Sequence, residues 1–313
     1  MVDSAPRIDT HHHFVAPEYR RYLEGKGYFG GQAIPAWSPE ASLDLMGRLG
    51  IGASVLSTAR PGFYFGNRSE ARAIAREVNE YAADLVTRRP KEFGLLAGLP
   101  LPNVDDALEE IVHSFDVLGC DGVVMLASQE GTYLGDPSLD PLLEELDRRS
   151  AVLFVHPNAL PEAPPLQDVP VFIADFLLDT TRAALNLVRH GCVRRYPRIK
   201  FLLSHGGGFL PYAAHRIASL TPTTADGPPN REEFLADCRE FYFDTALTAS
   251  PSSLPSLMAF AQPGRITYGS DYPYAGDGQP EYFTNQLDSA GLDDHAAKSI
   301  SSEAAKSLFP RLA

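Results

Sequence analysis

Short apolar runs rich in β-branched and aromatic residues recur along the chain. Each is followed by a stretch in which apolar positions return every three or four residues. The first pattern predicts strands and the second predicts helices. The strand-like runs are Arg7–Phe14, Ala53–Thr58, Phe93–Pro100, Gly122–Leu126, Ala151–His156, Ile199–His205, Phe241–Ala246 and Arg265–Asp271. Helical spacing fills Ser69–Arg89, Val104–Leu118, Pro141–Arg149, Thr180–His190 and Pro251–Ala261. Alternating strands and helices predict a parallel sheet, and eight such units are the number that closes a (β/α)8 barrel. An open doubly wound sheet would put a glycine-rich phosphate turn after its first strand, where this chain has Asp9–Phe14 with three histidines. The length of 313 residues suits one barrel, so residues 1–313 read as a single α/β domain.

Two stretches break the alternation directly after a predicted strand, on the face where barrels carry their active sites. Residues 15–38 read as a short aromatic-rich insertion holding Tyr19, Tyr22, Tyr28, Phe29 and Trp37. Residues 157–170 contain five prolines. The aromatics either stack on a flat apolar ligand or simply cover the barrel mouth, and the sequence does not choose between these. Residues 221–230 read as a flexible surface loop.

The charge balance is 27 − 40 = −13, which disfavours nucleic acid and anionic membranes as partners while leaving a small carboxylate substrate open. No apolar stretch reaches the roughly 18 residues needed to span a bilayer. Nor does the N-terminus show a basic segment followed by an apolar run. Cys120, Cys192 and Cys238 are widely spaced and form no CxxC pair, as expected of reduced thiols in a cytoplasmic protein.

The candidate chemistry lies at the ends of the predicted strands. His11 and His13 are two apart, so on a strand they face one way, and His12 faces the other with a structural role. The fifth run ends at His156, the sixth at His205 and the eighth at Asp271. In a parallel barrel these ends meet at one mouth. Isolated buried histidines are usually core residues, but four histidines and an aspartate converging from four strands predict a metal centre.

Ile8-Asp9-Thr10-His11-His12-His13, Val155-His156-Pro157, Ser204-His205-Gly206-Gly207 and Gly269-Ser270-Asp271-Tyr272-Pro273 together resemble the blocks of the amidohydrolase superfamily. The resemblance runs nearly end to end. It is strongest to the branch that contains aminocarboxymuconate semialdehyde decarboxylase and the aromatic-acid decarboxylases. Within that branch, the opening Asp-Thr-His-His-His-Phe and the segment Phe241–Ala246 are most similar to sequences of the 6-methylsalicylate decarboxylase type. The resemblance implies His11, His13, His156 and Asp271 as metal ligands and His205 as a catalytic histidine beside the metal. Asp271 is a second candidate for handling the proton. Asp9, in register with His11 and His13, is expected to face inward, where it either holds a ligand imidazole or is a buried structural aspartate. Gly206-Gly207-Gly208 is expected to let backbone approach the substrate.

Binuclear relatives carry a lysine or glutamate at the end of the fourth strand. Here that strand runs into Leu126-Ala127-Ser128, and none of Lys26, Lys91, Lys200, Lys298 or Lys306 ends a strand. One divalent ion is therefore expected, Zn2+ first, with Mn2+ also accommodated. Arg60 after the second strand and Arg216 after the sixth are candidate carboxylate binders, the alternative for each being a surface or helix salt bridge. In the resembling decarboxylases an arginine at the spacing of Arg216 enters the neighbouring subunit's pocket, which implies a homodimer or a dimer of dimers. The ligand set suits non-oxidative decarboxylation of an ortho-hydroxybenzoate such as 6-methylsalicylate, or of a dienoic acid. It would serve equally for hydrolysis of an amide or lactone. A non-catalytic metal-binding or ligand-binding barrel is a third reading, which so equipped a mouth disfavours.

Overall fold

The computed structural model describes residues 6–28, 34–161, 164, 166–276 and 278–313. Eight strands, β1 (Arg7–His13), β2 (Ile51–Ser57), β3 (Phe93–Gly98), β4 (Gly122–Leu126), β5 (Val152–His156), β6 (Lys200–Leu203), β7 (Tyr242–Asp244) and β8 (Ile266–Thr267), pair in sequential order. Every pairing among them is parallel. The segment after β8 closes back on β1 through parallel bridges Asp9–Tyr268 and His12–Tyr272. Along this seam the Thr10 N–H donates to the Tyr268 carbonyl (2.9 Å) and the Asp271 N–H donates to the His11 carbonyl (2.8 Å). The expected (β/α)8 barrel is thus formed.

Strand alternation gives the barrel two cores. Val55, Leu96, Val124, Phe154 and Leu202 fill the interior with Leu308 and Phe309. Arg311 donates to the Phe93 carbonyl and to Asp121, so the C-terminal segment covers the N-terminal end of the barrel. Outward-facing strand residues pack beneath the helices in a larger cluster that includes Leu56, Leu95, Leu142, Leu187 and Phe243. With the bottom filled, the cavity of such a barrel opens on the face where the strands end.

The strands approaching the mouth are shorter than expected. β6 stops at Leu203 and β8 at Thr267, so His205 and Asp271 lie beyond the strand ends. Both adopt positive φ, 51° for His205 and 59° for Asp271. A flat strand would carry these side chains past the barrel axis, and a left-handed residue turns each inward at a cost of about 1–3 kcal/mol. The stretch 15–38 is not all loop either. It contains a helix, Pro17–Gly25, which starts with proline in the first turn and buries Tyr19 and Leu23, four residues apart. A second unpredicted helix, Pro39–Leu49, is capped by the Ser38 hydroxyl, which accepts from the Ala41 N–H, and ends at Gly50 with φ 66°. No helix among the described residues is long and apolar enough to cross a membrane. The three cysteines are buried and free.

Candidate active site

β1 delivers His11 and His13 to one side of the barrel axis, where their Nε2 atoms lie 2.9 Å apart. Asp271 Oδ1 sits 3.2 Å from each of these two nitrogens. β5 adds His156, whose ring centroid is 4.8 Å from that of His13, and His205 lies 4.8 Å from His11 by the same measure. One ligand-type atom each from His11, His156, His205 and Asp271 falls within 4.8 Å of all the others. All five side chains are buried. Phe154, two residues before His156 and on the same strand face, forms the floor under His11 at 4.9 Å. The five residues that the sequence reading singled out are therefore brought together, with the pair on β1 in one direction and His12 in the other.

Each of these imidazoles has a partner at Nδ1. His11 contacts Asp244 Oδ2 at 2.7 Å and His13 contacts the Ser57 hydroxyl at 3.0 Å. His156 bonds the Pro157 carbonyl at 2.8 Å and His205 the Ala246 carbonyl at 3.1 Å. Carbonyls and carboxylates only accept, so in His11, His156 and His205 the proton belongs on Nδ1 and Nε2 is directed to the centre. Burial opposes a charge on His11, but the Asp244 and Asp271 carboxylates outweigh it and raise its pKa to about 10. Burial pushes His13, His156 and His205 down. The cluster thus calls for one positive charge at the convergence of its Nε2 atoms. A divalent ion with nitrogen and oxygen preferences meets that demand, and the donor set fits it.

Two assignments change, and one residue is added. Asp9 does not hold a ligand imidazole: its Oδ2 lies 3.0 Å from His12 Nδ1 and accepts from the Ser270 hydroxyl. The reason is a shift in the β1–β2 register between Asp9 and His12, which breaks the strict alternation that placed Asp9 with His11. The carboxylate that does hold His11 is Asp244, at the end of β7. Its other oxygen accepts from the backbone N–H of His205 and of Ala246, at 2.9 Å each. Gly206-Gly207-Gly208 serves packing: all three have positive φ, and a Cβ would meet Phe243 2.8 Å from Gly207 and the Leu177 carbonyl oxygen 2.0 Å from Gly208. In its residue pattern Asp244 shows only as a carboxylate closing an otherwise apolar run, inside the segment Phe241–Ala246 that carries part of the resemblance.

A cavity of about 640 Å³ opens above the cluster, with His156, His205 and Asp271 in its lining. Its walls are mostly apolar, from Leu23, Ile34, Phe172, Phe176, Leu247 and Phe283, with Tyr274 and Tyr28 among them. Of the aromatics expected over the mouth, only Tyr28 lines this space among the described residues. Tyr19 and Tyr22 instead donate to the Gly62 and Phe63 carbonyls, and Trp37 packs on Phe14 and Tyr81. Phe29 lies outside the described residues. Phe172 and Phe176, which the sequence reading missed, supply the opposite wall; their spacing of four on the approach to the helix Asp175–Arg189 was the available signal. Arg60 lines the cavity, with its guanidinium 5.8 Å from the Tyr28 ring centre and 5.7 Å from that of Phe176. Its Nε faces Asn158 Oδ1 at 3.5 Å, and no carboxylate pairs with it among the described residues. Arg216 is exposed on the helix Leu210–Leu220, away from its own cavity.

A sequence profile of the amidohydrolase family matches residues 8–311, and the chain belongs to that family. The chain is 35% identical over 313 residues to the 6-methylsalicylic acid decarboxylase of Penicillium expansum, covering 98% of this chain and 97% of that one. A crystal structure of an amidohydrolase II superposes with a TM-score of 0.89 at 29% identity, covering 97% of this chain and 99% of that chain. A dihydroxybenzoic acid decarboxylase from Polaromonas, crystallised with manganese and 2-nitroresorcinol, shares the fold with a TM-score of 0.81 at 21% identity, over 97% of each chain.

Proposed function

We propose that this protein is a metal-dependent, non-oxidative decarboxylase of small ortho-hydroxybenzoates, with 6-methylsalicylate or a close relative as its substrate. The observation that carries the reading is the pairing, within one aromatic-walled cavity, of the His/Asp cluster with Arg60. A guanidinium without a carboxylate partner attracts an anion, and the flat walls suit a ring. The 35% identity to a 6-methylsalicylic acid decarboxylase over nearly the full length supports the same substrate class.

His11, His13, His156 and Asp271 would hold one ion, Zn2+ in the first instance, since four nitrogen and oxygen donors suit it and no lysine or glutamate stands at the end of β4 for a second. The ion supplies positive charge that stabilises negative charge on the substrate oxygen next to the carboxylate. Arg60 binds the carboxylate, and Tyr28, Phe176 and Phe283 bound the ring. Asp271 Oδ1 is engaged by two imidazoles, which leaves His205 as the proton carrier: its bare Nε2 takes the proton from the substrate's ortho-hydroxyl, leaving a phenolate, and then delivers that proton to the ring. The proton goes to the carboxyl-bearing ring carbon. The bond from that carbon to the carboxylate then breaks, its electrons restore the aromatic ring, and CO2 leaves. We place the active unit as a homodimer or a dimer of dimers in which Arg216 reaches the partner's cavity, and the three buried free thiols fit a cytoplasmic location.

The test is incubation of Zn2+-loaded protein with a panel of ortho-hydroxybenzoates under nitrogen, measuring CO2 and the matching phenol. The ortho acids should release both in equal amounts, and the para-hydroxy isomers should be inert because one oxygen cannot reach the metal while the carboxylate reaches Arg60. Equal rates for both isomers would overturn this binding mode. Silence across the panel with turnover of an amide or lactone would make the protein a hydrolase.

A further inference from the structure

His12 points away from the cluster, yet it is fully buried and both its ring nitrogens are used. Its Nδ1 is 3.0 Å from Asp9 Oδ2, and its Nε2 is 3.0 Å from the Ser42 hydroxyl oxygen. That same hydroxyl accepts from the indole N–H of Trp37 at 2.8 Å. The indole can only donate and Asp9 only accepts, so the order of protons is fixed. Trp37 donates to Ser42, Ser42 donates to His12 Nε2, and His12 Nδ1–H donates to Asp9. At the far end Asp9 Oδ1 accepts from the backbone N–H groups of His11 (3.1 Å) and Ser270 (3.0 Å), and Asp9 Oδ2 from the Ser270 hydroxyl (2.6 Å). Asp9 is thereby tied to the backbone that carries His11 and to the residue preceding Asp271.

The near end of the chain belongs to the cavity mouth. Trp37 lies three residues after Ile34, which lines the cavity, and Arg20 holds that segment by donating to the Ile34 and Pro35 carbonyls. Asp271 has φ 59°, so its segment is held away from relaxed backbone geometry and depends on what anchors it. Fully satisfied buried chains of this kind transmit position because each member has one arrangement in which all partners are met.

We propose that Trp37–Ser42–His12–Asp9 is a positioning relay that couples the mouth segment at Ile34–Trp37 to the Asp271 and His11 backbone. His12 is its central positioning residue. The proposal rests on the ligand assignment given under the proposed function. Occupation of the cluster by a cation settles Asp271 and His11, and the relay passes that change to Trp37. Trp37 is the single tryptophan of the chain, so its emission reports on the relay without labelling.

The experiment is Zn2+ titration of the apoprotein, read by Trp37 fluorescence and in parallel by chelator competition for the metal Kd; Zn2+ is chosen because it does not quench directly. Wild type should show a saturable emission change at one equivalent of Zn2+. Ser42→Ala should bind Zn2+ with unchanged Kd and lose the emission change. His12→Asn retains a donor toward Asp9 but does not reach Ser42, so its Kd should stay within about threefold and its emission change should vanish. His12→Phe severs both links and leaves Asp9 one donor short, and its Kd should weaken by about tenfold or more. A general loss of stability would not divide the two readouts in this way. An emission change that persists in Ser42→Ala or His12→Asn, or stoichiometric Zn2+ binding by wild type with silent Trp37, would overturn the relay alone. Failure of wild type to bind Zn2+ would overturn the ligand assignment and the relay with it. Should His12→Phe fail to fold, the Ser42→Ala and His12→Asn arms decide the question.

Discussion

At the scale of the residue, the partner of each imidazole determines what its loss does. His156 and His205 bond neutral carbonyls at Nδ1, whereas His11 faces the Asp244 carboxylate. Asp244→Asn keeps an acceptor beside His11 but removes the charge that makes it a stronger donor to a cation. Zn2+ affinity should fall by about 10–100-fold with the fold intact, as measured by chelator competition and circular dichroism. His205→Ala should behave differently, keeping its Zn2+ content while turnover drops on the order of 10²-fold. Loss of the metal from that variant would make His205 a ligand. The pair His11/His13 and the three strand-end residues were legible in sequence because parallel strands converge whatever their separation along the chain. Asp244 was not, since a lone aspartate after Tyr-Phe reads as the polar end of a core strand. Asp9 is a buried structural aspartate and not a partner of a ligand imidazole, because alternation assumes an unbroken register, and the shift between Asp9 and His12 is set by pairing to β2, which no local pattern encodes.

At the scale of the element, the loop after β5 has to hold Asn158 beside Arg60, and it is braced from outside the barrel. Asp179, buried on the helix Asp175–Arg189, accepts from the Asn158 N–H at 2.8 Å and from the Tyr133 hydroxyl at 2.7 Å. Burial raises its pKa even though these donors favour the carboxylate. Tyr133 belongs to a two-stranded hairpin, Ser128–Gln129 with Thr132–Tyr133, that follows β4. Strand, hairpin, loop and helix thus meet at one carboxylate. Tyr133→Phe leaves that carboxylate short of a donor, which costs about 1–3 kcal/mol. Thermal melting should show this loss. In steady-state assays KM for the acid should rise more than kcat falls, because Asn158 and Arg60 loosen while the metal cluster is untouched. A change confined to kcat would contradict this role for the brace. The hairpin escaped the sequence reading because two-residue strands leave too little alternation to detect. The helix Asp175–Arg189 begins five residues before the predicted Thr180, because the two carboxylates of Asp175–Asp179 read as a loop unless Asp179 is paired, as it is here.

At the scale of the whole molecule, the long-range pattern carried the architecture: eight alternating units converging on one mouth are global features that survive errors of several residues at every boundary. Surface chemistry is less legible, and Arg216 shows why. It sits on the helix Leu210–Leu220, where Tyr212, Arg216 and Leu220 recur at intervals of four and so share one face. Tyr212 is 86% exposed and Leu220 66% exposed, and Arg216 has no ion-pair partner among the described residues. An apolar stripe around an unpaired guanidinium on a chain of net charge −13 is a surface suited to burial against another copy. If Arg216 completes the partner's cavity, Arg216→Ala and His205→Ala damage different halves of the same composite site. Each homodimer should then be nearly inactive. Mixing the two under conditions of subunit exchange creates hybrid dimers in which one cavity has lost both residues and the other has its own His205 and the partner's Arg216. That second cavity is intact, so at full exchange half of the dimers carry one working site and about a quarter of wild-type kcat returns, by the binomial share of hybrids among dimers of twofold symmetry. Absence of recovery after exchange has been demonstrated by native mass spectrometry would confine Arg216 to its own subunit's surface.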